Sequence, residues 1–371
     1  MKRLNCEKMR LLLIVFLAAI VLVGGNAKAD FTFGEPVEMG SMINTSYCEE
    51  GLTISADGLT LFFSSDRPPH YENWELYMAT RETTDDTWNL PENLGSIVNS
   101  PQNECYPSIS ADGLELYFCS PSDPSQDFGS GGTDLWVTKR ASVFDPWGTP
   151  ENLGSIVNSA SHDVEPCISA NGLELYFCST RPGGHGYSNI WITTRQTKDD
   201  SWSYPSNLGT TINYSDSEGT PNITSDGLVL FFTSNRSDGY GSEDIWMTRR
   251  MTTSDSWGEP INLGPAINDS DSQVMSCISP DGHTIYFRTI HPDTCYDFMQ
   301  APIIPIVDFN NDEIIDFDDL LIMVDNWSTN ESLCDIGPMP WGDGVVDIED
   351  LKVFIKYWEQ ENMPQEPEIP E

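Results

Sequence analysis

The stretch Ser110-Ala111-Asp112-Gly113-Leu114-Glu115-Leu116-Tyr117-Phe118 decides the fold, because close copies recur at residues 55–63, 169–177, 225–232 and 279–287. The five glycines, Gly58, Gly113, Gly172, Gly227 and Gly282, stand about 55 residues apart. An Asp-Gly or Asn-Gly pair supplies the positive φ angles of a two-residue hairpin turn. The run after it has the alternation of a packed strand. A period of this size with several short strands per unit marks a β-propeller. One unit cannot bury both faces of its sheet; five stacked around an axis can. The fold expected is therefore all-β, a five-bladed propeller, with a small all-α domain behind it.

Each repeat reads alike. An inner strand with Ile54, Ile109, Ile168, Ile223 or Ile278 leads into the hairpin, and an aromatic second strand follows. A third strand carries Leu135-Trp136-Val137, Ile190-Trp191-Ile192 or Ile245-Trp246-Met247. The fourth approaches through Trp88, Trp147, Trp202 or Trp257 and a phrase such as Pro91-Glu92-Asn93-Leu94-Gly95. The aromatics are expected to fill the space between blades. The fifth repeat lacks its last segment, and a matching piece, Phe33-Gly34-Glu35-Pro36-Val37-Glu38-Met39-Gly40, stands at the other end of the chain. The N-terminus is thus expected to supply the outermost strand of the last blade and close the ring.

These repeats resemble the TolB-like (WD-repeat-like) β-propeller family, whose Ser-Pro-Asp-Gly hairpin is matched by Ser279-Pro280-Asp281-Gly282. The resemblance covers roughly residues 31–305. It implies a fold more than an activity, since propellers host many functions.

The chain has 371 residues and a formal net charge of −40. Lys2, Arg3, Lys8 and Arg10, an apolar run over residues 11–23, and Ala27-Lys28-Ala29 make up a cleavable export signal. Residues 1–29 are expected to be removed, leaving a mature chain without a membrane span, secreted or held at the cell surface. Their loss takes away five basic residues and one acidic residue, so the charge becomes −44. That excess of acid argues against nucleic acid as a partner and suits a solvated surface or one that collects cations. Of the eight remaining cysteines, Cys119 and Cys178 are equivalent in different blades, as are Cys167 and Cys277. Such positions are too far apart to bridge, and no pairing is assigned.

After Pro305 the pattern changes. Residues 308–319 form a twelve-residue calcium loop, with Asp308, Asn310, Asp312, Asp316 and Asp319 as oxygen ligands and the Ile314 carbonyl between them. A helical run over residues 320–327 follows. A second copy offers Asp335, Asp343, Val345 through its carbonyl, Asp347 and Asp350, with a helix over residues 351–358. Paired loop–helix units ending in Asp resemble a type I dockerin, which implies Ca2+ as cofactor and a cohesin-like domain as partner. Two departures stand out. Glu313 replaces the usual turn glycine, and an insertion over residues 337–341 is expected to distort the start of the second loop. The domains expected are the signal at 1–29, the propeller at 30–305, the dockerin-like unit at 306–358 and a disordered acidic tail at 359–371.

Two polar columns in the propeller lack an apolar packing role. Asn44, Asn99, Asn158, Asn213 and Asn268 precede their hairpin glycines, and so do Glu49, Glu104, Asp163, Glu218 and Gln273. Loops on the same face carry Arg67, Arg181 and Arg236, with Tyr71, Tyr187 and Tyr240. The structural reading has each Asn capping a turn and each acid pairing with an Arg to lock blades together. The functional reading makes Glu49, Glu104, Asp163, Glu218, the three arginines, Tyr187 and Tyr240 a site for a polysaccharide, peptide or cation. The rival class is a secreted glycoside hydrolase, which needs two carboxylates in distinct environments. An acid recurring at one repeat position is what a scaffold produces, whereas a catalytic pair breaks symmetry. No catalytic residue is assigned, and the function expected is a non-catalytic binding or scaffold protein.

Overall fold

The computed structural model describes residues 31–68, 73–121, 132–214, 217–290, 297–310, 312, 314–329, 334, 336–337 and 345–362. The export signal expected at 1–29 lies outside them, as do Tyr71, Asp335 and Asp343. Two short strands open the described chain, β1 (Phe31–Phe33) and β2 (Val37–Glu38). Blade 1 is β3 (Glu49–Ile54), β4 (Thr60–Ser65), β5 (Glu75–Thr80) and β6 (Glu92–Asn93). Blade 2 is β7 (Cys105–Ile109), β8 (Glu115–Pro121), β9 (Thr133–Lys139) and β10 (Glu151–Asn152). Blade 3 is β11 (Asp163–Ile168), β12 (Glu174–Ser179), β13 (Asn189–Thr194) and β14 (Ser206–Asn207). Blade 4 is β15 (Glu218–Ile223), β16 (Val229–Ser234), β17 (Asp244–Arg249) and β18 (Ile261–Asn262). Blade 5 is β19 (Ser272–Ile278), β20 (Thr284–Ile290) and β21 (Asp297–Pro305), joined by β1 and β2 on the far side of β21. Every pairing is antiparallel: Phe31 opposes Pro305, and Val37 opposes Gln300. The propeller's two ends therefore meet in one sheet, and the ring has no open blade.

The hairpins differ from the two-residue turn expected. The Ser55 carbonyl accepts from Gly58 N, the Ser55 amide donates to Thr60 O, and only the glycine takes a positive φ, +73°. Asp57 contributes its carboxylate instead, accepting from Ser55 Oγ at 2.6 Å and Leu59 N at 3.0 Å. The turn is longer, and its Asp is a local cap. Below the turns of blades 1 to 4 an arginine donates to the glycine carbonyl and stacks on the tryptophan of the repeat. Arg81 over Trp88, Arg140 over Trp147, Arg195 over Trp202 and Arg250 over Trp257 lie 4.3–4.4 Å from the ring centroids.

Two circuits of hydrogen bonds hold the blades. In the inner circuit, a side chain of each innermost strand accepts the amide of the next blade's isoleucine. Ile109 N reaches Thr53 Oγ1, Ile168 N reaches Ser108 Oγ, Ile223 N reaches Cys167 Sγ and Ile278 N reaches Asn222 Oδ1. The Ile54 amide bonds to Cys277 and completes the circle. In the outer circuit each asparagine of the first column makes two bonds to one third-strand residue. Asn99 binds both N and O of Leu76, Asn158 those of Leu135, Asn213 those of Ile190 and Asn268 those of Ile245. The column is a set of backbone clamps rather than turn caps. Asn44 does the same to Phe298 at 2.9 and 3.0 Å, across 254 residues.

Beyond β21, Val307, Phe309, Met323, Cys334, Ile336, Val346, Val353 and Phe354 form a small buried cluster. Helices α1 (Phe317–Asp325) and α2 (Ile348–Asn362) pack on it, and α2 continues past the Glu359 boundary read from the sequence. Among the described residues seven cysteines are free thiols, six of them buried.

The Asn44 clamp makes closure testable. Asn44→Leu leaves the buried amide of Phe298 without a partner, while its carbonyl keeps the bond from Met39 N. Chemical denaturation should show a loss of about 1–3 kcal/mol, matching Asn158→Leu in mid-ring, where the Leu135 carbonyl keeps Leu153 N. A neutral Asn44→Leu beside a destabilising Asn158→Leu would contradict closure by the N-terminus.

Candidate functional site

The acid column sits where the chain enters each innermost strand, and its carboxylates are buried. Glu49 accepts from Thr45 Oγ1 at 2.7 Å, Ser65 Oγ at 3.4 Å and Arg67 Nη2 at 2.9 Å. Arg67 in turn donates to Ile43 O at 2.8 Å and lies against the rings of Phe63 and Tyr77. Burial pushes the Glu49 carboxyl up, against the pull of Thr45 and Arg67. Asp163 repeats the arrangement with Arg181, and Glu218 with Arg236 at 3.6 Å. The sequence reading had these pairs locking blades together. Each joins two strands of one blade and ties them to the incoming turn, because the arginine follows the second strand of the same sheet. Asp134 and Asp244 accept from Asn152 and Asn262, and Glu75 accepts from Asn93, so the third-strand acids are structural acceptors.

Blade 2 departs from this pattern. Among the described residues Glu104 has hydroxyl and amide partners, Ser100 Oγ at 2.5 Å, Ser100 N at 3.1 Å and Ser120 Oγ at 3.2 Å, but no arginine. Burial pushes its carboxyl up to about 8. In blade 5 the corresponding Gln273 bonds to Asp269. The side chains of Tyr187 and Tyr240 are exposed on their loops and take no part in these pairs.

Repeat-breaking residues gather on the axis instead. Each innermost strand slips register once at a β-bulge. The bulge residue is Gly51, Tyr106, Glu165 or Thr220 in blades 1 to 4, at φ of +53°, +55°, +56° and +43°. At Gly51 a Cβ would stand 2.5 Å from Tyr106 Cα, so no side chain fits there. Three larger residues hold the same left-handed backbone at a cost of roughly 1–3 kcal/mol each. Glu165 Oε2 accepts from Thr220 N at 2.6 Å, and burial pushes its carboxyl up. Beside it Glu50 pairs with Arg288 at 2.5 Å. Both carboxylates and Arg288 act electrostatically on the Tyr106 phenol. Sequence reasoning missed Glu50, Tyr106, Glu165 and Arg288; the signal available was that each is unlike its equivalents in the other blades. The space lined by Tyr106 and Glu165 is about 30 Å³. A wider cavity of about 410 Å³ opens at the hairpin end of the axis. It is walled by the inner circuit, and burial raises its Cys167 thiol to about 11.

The two C-terminal loops are built alike. Asp319 Oδ1 accepts from Phe309 N and Asn310 N, and Oδ2 from Asp316 N. Asp350 Oδ1 accepts from Ile336 N and Gly337 N, and Oδ2 from Asp347 N. The N-cap aspartates match as well, Asp316 accepting from Asp318 N and Asp347 from Glu349 N. The start of the second loop is thus held as in the first rather than distorted, and the extra residues fall after Gly337. In the first loop Asp308 Oδ1 and Asn310 Oδ1 both accept from Asp312 N, while Asp312 Oδ1 accepts from Ile314 N. Among the described residues no three His, Cys, Asp or Glu side chains converge as a ready-made metal cage.

No family model matches the chain, and no curated protein does so either. Solved structures do. TolB from Acinetobacter baumannii is 13% identical, with a TM-score of 0.45, over 70% of this chain and 56% of that one. A putative TolB from Agrobacterium tumefaciens is 17% identical, with a TM-score of 0.40, over 69% and 74%. The catalytic domain of the Coprinopsis cinerea GH62 alpha-L-arabinofuranosidase is 12% identical, with a TM-score of 0.47, over 74% and 96%. The matched region spans little more than half the length of the Acinetobacter TolB. Likeness at these identities is one of fold and assigns no activity.

Glu104 gives the acid column a pH signature. Folded, it holds its proton to about pH 8; unfolded, it loses it near the ordinary 4.5. Its contribution to stability is full below pH 4.5 and is lost as pH rises through 8. Glu104→Gln should therefore gain roughly 1–3 kcal/mol over the parent between pH 5 and pH 8. Parallel stability–pH curves for the two proteins would contradict the assignment.

Proposed function

We propose that this is an exported, non-catalytic propeller that binds a glycan or protein ligand on the face carrying the acid column. Its C-terminal unit, a dockerin-like module, recruits it to a cell-surface or extracellular complex by docking on a cohesin-like domain when calcium is bound. The observation that carries this reading is the duplicated bonding of Asp319 and Asp350, each holding two amides at the start of its loop and one before its helix. A loop–helix unit copied at that level of detail supports paired cation loops. The donors fit a hard ion, being all oxygen: Asp308, Asn310, Asp312, the Ile314 carbonyl, Asp316 and Asp319 in the first loop. Val345 through its carbonyl, Asp347 and Asp350 serve the second, with Asp335 and Asp343 outside the described residues. A bound cation would offset the repulsion among these acids, and binding would be coupled to folding of the unit.

On the propeller, the column acids favour binding over hydrolysis. Their carboxylates are spent on buried bonds to arginines and hydroxyls, which leaves none free to move a proton to a substrate.

Calcium is expected to slow amide hydrogen exchange across residues 306–358 and to leave the blades unchanged. Asp319→Ala and Asp350→Ala should each remove part of that protection. Exchange there that is equal in calcium and in chelator would contradict the reading.

A second reading has one observation in its favour. Glu50 and Glu165 are two axial carboxylates in different settings, one paired with Arg288 and one raised by burial, as a glycoside hydrolase requires. Against it, the 30 Å³ beside Glu165 admits about one water and no sugar ring. Turnover of any polysaccharide that Glu165→Gln abolishes, with the melting temperature unchanged, would establish the hydrolase.

A further inference from the structure

Blade 4 breaks the repeat on the acid face, beside the axis rather than on it. Where blades 1, 2 and 3 have Thr45, Ser100 and Ser159, whose hydroxyls bond to the column acid, blade 4 has Tyr214. Tyr214 is 55% exposed, and its ring stands 5.9 Å from the Arg236 guanidinium. The replacement changes the neighbourhood of the ion pair. Arg236 lies 3.6 Å from Glu218, against 2.9 Å for Arg67 and Glu49, and also faces Trp246 at 4.8 Å. Together with Asp238, Glu259 and Thr211, these residues line a cavity of about 530 Å³. Trp246 is only 4% exposed, and its indole N–H, like that of Trp191 in blade 3, has no hydrogen-bond partner among the described residues, whereas Trp136 in blade 2 donates to Ser120 O.

We infer that this cavity is a binding site for a neutral oligosaccharide. The inference rests on the reading of the propeller as a binding module and names its ligand class. The Tyr214 ring offers a flat apolar face at the rim, the surface against which the C–H face of a pyranose packs. Asp238 and Glu259 present acceptors for adjacent sugar hydroxyls, and the Arg236 guanidinium, whose Nε and Nη2 donate to Ser234 Oγ and Ile212 O, is held beside the Tyr214 ring. Charge selects among saccharides: two rim carboxylates and a chain charge of −40 repel uronates and acidic peptides. The volume lies in the range of small-ligand sites and accepts a short chain of sugars.

The test is calorimetric titration of the full mature chain with cellohexaose, xylohexaose and mannohexaose, and with oligogalacturonate and an acidic peptide as the charged arms. At least one neutral hexasaccharide should bind, and neither charged probe should. Tyr214→Ala and Asp238→Ala should each weaken binding tenfold or more with the melting temperature unchanged. Phe144→Ala, at a 95% exposed aromatic on the hairpin face, should leave it intact. Binding undiminished in Tyr214→Ala, binding of charged probes alone, or no binding of any neutral hexasaccharide overturns the inference. None of these outcomes bears on calcium protection of residues 306–358, so failure here and failure of the wider reading are separable.

Discussion

The propeller depends on one interaction made five times, an asparagine side chain that takes both hydrogen-bonding groups of a third-strand residue. A backbone amide near the start of the third strand would otherwise be buried without a partner, while the carbonyl of the same residue also accepts from the outermost segment, as Leu76 O does from Leu94 N. The amide group of Asn supplies a matched acceptor and donor, and it also fixes where the chain turns toward the next blade. Between Asn44 and Phe298 the same pair joins the two ends of the propeller. The inner circuit from Thr53 to Cys277 uses the same logic with weaker acceptors, two of them thiols. Packing of the aromatics supplies most of the burial, but these bonds set the register and the closure.

Regular bonding also separates scaffold from function. Glu49, Asp163 and Glu218 repeat, and each is tied to an arginine of its own blade. Glu50, Tyr106, Glu165 and Arg288 do not repeat and meet on the axis, where three bulge residues other than glycine adopt left-handed backbone. Tyr214 does not repeat either, and a groove opens beside it. A ring that is uniform where it must hold together differs where a ligand is proposed to bind.

Much of this was legible in the sequence. Five glycines at one spacing fixed the number of blades, and the missing fifth Trp-Pro-Asn-Leu-Gly segment pointed to the N-terminus. The polar columns were visible as columns, but their partners were not. A clamp between Asn99 and Leu76 joins the chain across 23 residues, and nothing in the spacing shows which backbone groups lack partners. The pairing of Glu50 with Arg288 spans 238 residues and exists only because the ring closes. The stacking of Arg81 on Trp88 was hidden for another reason, since an arginine at a strand end reads as solvated until the ring beneath it is placed. In the C-terminal unit the duplicated spacing of acids and helices was plain. The insertion after Gly337 was misread as a distortion, because a count of residues does not show that Asp350 still gathers the amides of Ile336 and Gly337.

The proposal that this propeller is displayed by a calcium-loaded module is tested most directly by counting ions on the intact mature chain by native mass spectrometry. The account predicts two tightly held calcium ions, one remaining after Asp319→Ala and none after the double change with Asp350→Ala. Calcium that stays bound in the double variant, or a parent chain that binds none, would contradict it.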